Sequence, residues 1–185
     1  MKLCMIGTGY VGLVSGVCFS DVGNKVYCVD RDKKKIDLLN NGKIPIYEPG
    51  LEEILKRNYR QKRLIFTSDL KKAVDNSDII FICVGTPTKK NSNSAELKYV
   101  FNVARELKKI IKSYKIIITK STVPVTTGDK IENILSNLKK RKLVDVVSNP
   151  EFLREGDAIR DFIYPDRVVI GTDSSKANRV LKSLY

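Results

Sequence analysis

The feature that most constrains this fold is the apolar run 3–6, which leads directly into the glycine-rich sequence GTGYVG at residues 7–12. A strand that passes through this glycine spacing into a helix is typical of the βαβ unit of dinucleotide-binding sheets. In that unit Gly7 allows the tight turn, Gly9 lets the backbone approach a pyrophosphate, and Gly12 lets the helix pack on the strand. The free N–H groups at the start of the helix favour a bound phosphate.

An acidic residue at the end of the second apolar run extends this pattern. Asp30 lies 18 residues after Gly12, where a carboxylate can accept hydrogen bonds from the ribose hydroxyls of an adenosine. The same carboxylate would repel a 2′-phosphate, which favours NAD over NADP. Arg31 follows directly and can pair with a phosphate, so the choice between the two cofactors stays open at this point.

The rest of the chain alternates strand-like and helix-like segments. Strands are predicted at 2–6, 25–29, 64–67, 79–84, 115–120, 144–148 and 167–170, and helices at 10–22, 33–40, 51–60, 70–77, 97–113, 127–140 and 175–185. Continuous Ile/Val runs are typical of parallel strands buried on both faces. The pattern predicts an α/β fold, with a Rossmann-like, doubly wound, mainly parallel sheet and helices on both faces.

Local signals support several of these boundaries. Asp69 is expected to cap the helix that starts at residue 70, and Thr126 or Thr127 the helix that starts near 127. Gly23 and Gly42 stand where helices should end.

Composition excludes several classes of chemistry. The chain has no histidine, which excludes a histidine general base and a histidine-based zinc site within these 185 residues. No tyrosine is followed by a lysine four residues later, so the Tyr/Lys dehydrogenase pattern is missing too. The four cysteines are widely spaced, and we interpret them as reduced structural residues. No apolar stretch approaches the roughly 20 residues that span a bilayer, and the start lacks a secretory pattern, so a cytoplasmic protein without membrane contact is expected.

The net charge of +13 is spread over basic runs, several of them on predicted helices. Solvated helix faces account for most of it, and a basic surface also favours an anionic nucleotide ligand. A nucleic-acid binder is the alternative, but the chain contains no RNA- or DNA-binding motif and no aromatic residues among the basic runs.

Three loops with polar side chains follow consecutive predicted strands. They carry Thr86 before Pro87, Thr122 two residues before Pro124, and Glu151 after Pro150. Ligands of parallel sheets bind beyond these carboxyl ends, so the sequence predicts a site there. Glu151 and Glu155 would share one face if their loop starts a helix. They are the best acid–base candidates, the alternative being a charge at a helix N-terminus.

Six stretches together make the pattern specific: GTGYVGL at 7–13, PIYEPGL at 45–51, FICVGTP at 81–87, STVPV at 121–125, NPEFLREG at 149–156 and PDRVVIG at 165–171. In these stretches and their order the chain resembles the UDP-glucose/GDP-mannose dehydrogenase family. Residues 149–167 look more like the UDP-glucose 6-dehydrogenases than the GDP-mannose branch. Family members oxidise the sugar C6 alcohol to a carboxylate with two NAD, through a thioester on a cysteine. The resemblance therefore implies conversion of UDP-glucose to UDP-glucuronate, in nucleotide-sugar metabolism and polysaccharide biosynthesis.

The resemblance also implies residue roles. The residues implied to bind NAD, including the glycine-rich turn, are Gly7, Gly9, Tyr10, Val11, Gly12, Asp30, Lys35, Thr86, Thr122 and Glu155. Those implied to line the sugar-nucleotide site are Glu151, Phe152, Leu153, Arg154 and Glu155. Thr122 with Glu151 and Glu155 would position or activate water in the hydrolysis step.

The resemblance covers only the family's N-terminal NAD-binding domain. The central helix, the UDP-binding domain and the nucleophilic cysteine with its lysine partner have no counterpart in residues 1–185, and 171–185 would begin the connection toward them. We therefore expect NAD binding without turnover by this chain alone, with either a C-terminal UDP-binding half or a homodimer partner completing the enzyme. A GDP-mannose dehydrogenase fragment and a non-catalytic NAD or nucleotide-sugar binder are the alternatives. Thr126 stands where the family often has glycine, and Glu96 where it usually has aspartate.

Overall fold

A parallel sheet organises the chain in the computed structural model, which describes residues 1–90 and 94–185. Its strands within the described residues are β1 (Lys2–Ile6), β2 (Lys25–Val29), β3 (Leu64–Thr67), β4 (Ile79–Ile82), β5 (Lys115–Thr119) and β6 (Val144–Ser148). They lie in the order β3-β2-β1-β4-β5-β6, and every neighbouring pair is parallel. The direction of winding reverses between β1 and β4, as expected for a doubly wound sheet.

Helices cover both faces of this sheet. They are α1 (Tyr10–Asp21), α2 (Lys33–Asn40), α3 (Leu51–Arg60), α4 (Leu70–Asp75), α5 (Lys98–Ile110), α6 (Thr127–Ile134), α7 (Ser136–Lys140), α8 (Ala158–Ile163) and α9 (Ser175–Leu184). Strand β1 illustrates the two layers, because Leu3 and Met5 pack in one apolar cluster with α1, α3 and α9, whereas Cys4 and Ile6 pack in the other with α5 and α6. The predicted fold class is confirmed.

The seventh predicted strand, 167–170, is wrong. Its backbone forms no ladder in the described part of the chain, and only Gly171 makes an isolated antiparallel bridge with Ser148. The carbonyl oxygen of Val169 instead accepts a hydrogen bond from the Asn149 side chain at 2.8 Å. Val168 and Val169 are also exposed, so this apolar run is not a buried strand.

Two helical regions of the structure differ from the prediction. The predicted helix 127–140 divides at Leu135, where the Leu138 N–H bonds to the Leu135 carbonyl at 2.8 Å in a tighter i→i+3 turn. Helix α8 was not predicted. The segment 151–156 before it is not helical, so Glu151 and Glu155 do not share a helix face.

The helix ends agree with the sequence at three of four places. Asp69 accepts a hydrogen bond from the Lys72 N–H as the cap of α4, and Gly23 and Gly42 have the positive φ values of +95° and +72° that follow helix ends. The threonine cap is wrong. Thr126 occupies the N-cap position with a left-handed φ of +74° and, within the described residues, its side chain makes no capping hydrogen bond, while the Thr127 hydroxyl donates to Pro124 O.

The cysteines and the helix lengths bear on two further expectations. Cys4, Cys18, Cys28 and Cys83 all lie in the described part of the chain, where they are buried and form no disulfide. No helix among residues 1–90 and 94–185 has both the length and the apolar character needed to cross a bilayer.

Candidate active site

A cleft of about 670 Å³ opens where β1, β2 and β4 end. Its polar lining includes Gly7, Gly9, Asp30 and Lys35, and its apolar walls are Ile6, Val29, Leu70, Val84, Tyr99 and Val103. This volume is within the range of small-molecule and cofactor pockets. The cleft also lies beside the β1–β4 switch point, where ligands of doubly wound sheets bind.

The three glycines of the turn have different local surroundings. A Cβ on Gly12 would lie 1.9 Å from the Gly7 carbonyl oxygen, so this position packs the helix against the turn. Gly7 has a φ of +102°, and its Cβ would meet the Cys83 carbonyl oxygen at 2.8 Å. Gly9 has an ordinary φ of −70°, and a Cβ there would meet none of the described heavy atoms within 4 Å. The fold therefore requires glycine at 7 and 12, whereas position 9 is open toward the cleft.

The start of α1 can hold an anion beside Gly9. The first N–H groups of a helix have no intrahelical acceptor, and here they belong to Tyr10, Val11 and Gly12. The first turn of α1, described in full, carries no acidic residue that would repel a phosphate. An unobstructed backbone at Gly9 and this positive helix end fit a pyrophosphate, which is the group that the glycine spacing predicts.

The carboxylate of Asp30 is fixed beside the glycine-rich turn and lines the cleft. Its Oδ2 accepts hydrogen bonds from the Thr8 N–H at 2.9 Å, the Thr8 hydroxyl at 2.7 Å and Lys35 Nζ at 3.2 Å. Its Oδ1 accepts one from the Asp32 N–H at 3.1 Å. Partial burial raises the pKa of Asp30, but these hydrogen bonds and the Lys35 charge outweigh it, so the net pKa lies below the usual value. Asp30 is therefore a charged acceptor held in one orientation, as a ribose contact requires.

Arg31, which left the cofactor choice open, is paired across the cleft. Its Nη2 lies 2.5 Å from Glu106 Oε1 on α5, and both residues line the cleft. The guanidinium thus already has an anionic partner. This arrangement is consistent with a cofactor that carries no 2′-phosphate.

A second group of predicted residues lies on another part of the surface. Tyr10 and Glu155 line a separate hollow with Gly156, and Glu155 is exposed. The Tyr10 hydroxyl donates to the Glu48 carboxylate and accepts from the Gly156 N–H at 2.9 Å. Burial, followed by the hydrogen bond to Glu48, raises the pKa of Tyr10 to about 12, so the hydroxyl stays protonated as a donor.

A third group surrounds a buried lysine at the end of β5. Lys120 Nζ lies 3.2 Å from Asn149 Oδ1 and 3.0 Å from the Tyr185 hydroxyl, which itself donates to Asn149 Oδ1 at 2.6 Å. Burial lowers the pKa of Lys120 to about 8, although the negative charge of Glu151 acts in the opposite direction. Glu151, Phe152 and Leu153 line the same small hollow as Lys120, and Glu151 Oε2 accepts from the Leu153 N–H at 2.5 Å.

Three further predicted residues, Thr86, Thr122 and Arg154, are held by other contacts. The Thr86 hydroxyl donates to the Thr122 carbonyl at 3.0 Å, which joins the loops after β4 and β5. The Arg154 guanidinium binds Asp161 at 2.6 Å and Asp157 at 3.1 Å.

Sequence reasoning missed Glu48, Lys120 and Tyr185. Glu48 belongs to the stretch 45–51 that carried the resemblance, so its position in a motif was available as a signal. Lys120 ends an apolar strand, where a lysine is seldom buried without a partner. Tyr185 gave no signal, because its contacts depend on how α9 packs. Residues 1–90 and 94–185 contain no cluster of three or more His, Cys, Asp or Glu side chains that could hold a metal ion.

Comparison with known proteins agrees with this geometry. The sequence model of the UDP-glucose/GDP-mannose dehydrogenase family, NAD binding domain, matches residues 1–185. The UDP-glucose 6-dehydrogenase of Rhizobium meliloti is 52% identical over 187 residues, which cover 100% of this chain and 43% of that protein.

Solved structures match the fold equally well. The GDP-mannose dehydrogenase of Pseudomonas aeruginosa, in a ternary complex, has a TM-score of 0.94 at 40% identity, covering 100% of this chain and 44% of that one. The UDP-glucose dehydrogenase of Pyrobaculum islandicum has a TM-score of 0.93 at 38% identity, covering 99% of this chain and 43% of that one. The chain therefore spans a little over two fifths of the length of these relatives.

Proposed function

Because the chain belongs to the UDP-glucose/GDP-mannose dehydrogenase family, as its NAD-binding domain, we propose that it is the cofactor half of a UDP-glucose 6-dehydrogenase. In this role it binds NAD for the oxidation of UDP-glucose to UDP-glucuronate. The observation that carries the proposal is the cleft that joins the open backbone at Gly9 to the fixed carboxylate of Asp30.

Different residues of the cleft bind different parts of the cofactor. The N–H groups at the start of α1, beside Gly9, bind the pyrophosphate. Asp30 accepts hydrogen bonds from the adenosine ribose, and the hydrogen bonds from Thr8, together with the Lys35 charge, keep that carboxylate ionised and in place. When bound, NAD supplies the hydride acceptor for the alcohol and aldehyde oxidations.

The sugar end of the site lies toward the loops after β5 and β6. Thr122 and Glu151 are the residues that position water there, and Glu151 has the buried cation of Lys120 as a neighbour. Lys120 also holds Asn149 at the start of the Glu151 loop, which limits how far that loop can move. Glu155 is exposed at the other end of the loop and available to a ligand.

None of the four cysteines within the chain suits the covalent step. Cys83 is the one nearest the cleft, but burial raises its pKa to about 12, so it remains a protonated thiol. A thiol held in that form is a poor nucleophile. The thioester therefore forms on a cysteine of another polypeptide segment, either a C-terminal UDP-binding half or a partner. Reduced thiols throughout fit a reducing compartment such as the cytoplasm.

UDP-glucose is the preferred substrate on two grounds. The Rhizobium meliloti relative, called a UDP-glucose 6-dehydrogenase, is 52% identical, whereas the GDP-mannose dehydrogenase structure is 40% identical. The stretch 149–167 also resembles the UDP-glucose branch. A GDP-mannose dehydrogenase is the second candidate, favoured by its TM-score of 0.94.

The test is reconstitution of activity. The chain is mixed with a C-terminal half taken from a relative, and NADH formation is followed with UDP-glucose or GDP-mannose. We expect NADH only with UDP-glucose and both halves present, and a loss of about a hundred-fold or more in rate for Glu151→Gln. Robust turnover by the chain alone would refute the assignment of the nucleophile, and a preference for GDP-mannose would refute the substrate.

A further inference from the structure

A buried carboxylate outside the cofactor cleft joins three separate segments. Glu48 lies in the loop before α3 and is only 4% exposed. Its Oε2 accepts from the Tyr10 hydroxyl and from the Gly156 N–H at 2.9 Å, and its Oε1 accepts from the Ile159 N–H at 3.1 Å. A buried carboxylate with this many donors is fixed in position, because each lost bond would leave an unpaired charge or N–H.

The three segments belong to different parts of the site. Tyr10 is the first residue of α1, directly after Gly9, whose backbone is open to the cofactor. Gly156 ends the loop that carries Glu151 and Glu155, and Ile159 lies in the first turn of α8. The Gly156 N–H is shared between Tyr10 and Glu48, so the two side chains hold one backbone atom together.

We propose that Glu48 is a positioning residue that couples cofactor binding at the start of α1 to the ordering of the 151–156 loop, which the sugar nucleotide contacts. The proposal rests on the proposed function, since it takes NAD to be the ligand at Gly9. Glu48 touches neither ligand in this scheme and acts through Tyr10 and Gly156.

The coupling follows from the order of the contacts. A pyrophosphate bound to the first N–H groups of α1 restricts the backbone of Tyr10. Because the Tyr10 hydroxyl bonds to Glu48 and to the Gly156 N–H, these two groups also become less mobile. When NAD has already ordered the 151–156 loop, binding of the sugar nucleotide costs less conformational entropy. The two ligands therefore bind with positive cooperativity, without a large change of structure.

Two variants separate the parts of this connection. Tyr10→Phe removes only the hydroxyl, so the bonds from Gly156 and Ile159 to Glu48 remain while the connection to α1 is cut. Glu48→Gln replaces one acceptor oxygen by an NH₂ group, which must face a hydrogen-bond donor. Matched controls are Tyr47→Phe, where the tyrosine is 83% exposed, and Glu53→Gln, where the glutamate is exposed on α3.

The experiment is hydrogen–deuterium exchange of the Gly156 and Ile159 amides, with and without NAD, beside an NAD titration by calorimetry. In the wild-type chain NAD should slow this exchange by a factor of about five or more. Tyr10→Phe keeps the backbone N–H at the start of α1, and at an NAD concentration that saturates the variant it should lose the NAD-dependent slowing. Glu48→Gln should exchange about ten-fold faster even without NAD, as expected for loss of a charge-assisted hydrogen bond. Both controls should behave as wild type.

The outcomes distinguish the two proposals. A wild-type chain that binds no NAD overturns the proposed function, and the coupling with it. NAD binding with unchanged exchange at Gly156 and Ile159 overturns the coupling alone. A purely structural role for Tyr10 would raise exchange without NAD and leave the NAD-dependent change intact, which also contradicts the proposal. If Glu48→Gln fails to fold, Tyr10→Phe still decides, because it removes a single hydroxyl.

Discussion

Alanine at Gly12 should lower the stability of the fold, whereas alanine at Gly9 should leave stability intact and weaken NAD binding. At Gly12 the new Cβ would lie 1.9 Å from the Gly7 carbonyl oxygen and 3.0 Å from Cys83 Cβ, so the backbone must shift. Overpacking of this kind costs about 1–3 kcal/mol or more, and the better helix propensity of alanine returns at most about 1 kcal/mol. We expect Gly12→Ala to lower the free energy of unfolding by about 2 kcal/mol, and Tm by roughly 5 °C.

At Gly9 the same methyl group meets only the cleft. The backbone angles suit alanine, so the free energy of unfolding should stay the same or rise by about 0.4–1 kcal/mol, through the smaller entropy of the unfolded chain. The Cβ would, however, stand where a pyrophosphate must approach. We expect NAD affinity to fall at least about ten-fold, which is roughly 1.4 kcal/mol.

Denaturant unfolding and NAD calorimetry on the same samples measure both effects. Gly128→Ala is the matched control, because a Cβ at Gly128 also meets no described heavy atom within 4 Å, and this residue lies on α6 away from the cleft. It should leave NAD affinity unchanged. Unaltered NAD affinity in Gly9→Ala would refute the assignment of the pyrophosphate to this turn.

Two further predictions concern stability. Thr126→Gly should raise Tm by about 2 °C. Relief of the left-handed φ at Thr126 stabilises the folded state by about 1–2 kcal/mol, and the larger backbone entropy that glycine loses on folding offsets about 0.5–1 kcal/mol of this. A fall in Tm would contradict the inferred strain. Burial raises the pKa of Cys18 to about 12 from an ordinary 9.0, so above pH 9 the unfolded state ionises first and the free energy of unfolding falls as pH rises toward 12. In denaturant titrations from pH 9 to 11, the free energy of unfolding of Cys18→Ala should fall by about 1.4 kcal/mol less per pH unit than that of wild type. Equal slopes of the free energy of unfolding against pH in the two proteins would refute the raised pKa of Cys18. The lowered pKa of Lys120 acts with the opposite sign in both proteins, so it cancels in this comparison.

The fold was largely predictable because its signals are local. Six of the seven predicted strands, the Asp69 cap and the glycine-rich turn all depend on residues close in sequence. The seventh, at 167–170, failed because an apolar run does not reveal whether a neighbouring strand is free to pair with it. The Asn149 side chain takes the Val169 carbonyl instead.

The candidate site was less predictable because its connections are long-range. Glu48 bonds to residues 108 and 111 positions away, and Lys120 to Tyr185, 65 positions away. No periodicity or spacing rule reports such pairs, since they exist only once the strands are in order. The sequence therefore indicated which loops carry the candidate site, but not that the side chains of Tyr10 and Asp30 line separate hollows.

The central claim is that NAD binds with its ribose at Asp30, and an NAD titration by calorimetry tests it most directly. The wild-type chain should bind NAD, and Asp30→Ala should bind at least about ten-fold more weakly, as expected for loss of a hydrogen bond to a charged group. A thermal unfolding curve confirms that the variant is folded, since Asp30 also holds Thr8 and Lys35. Equal NAD affinity in the two proteins, or no binding by wild type, would contradict the account.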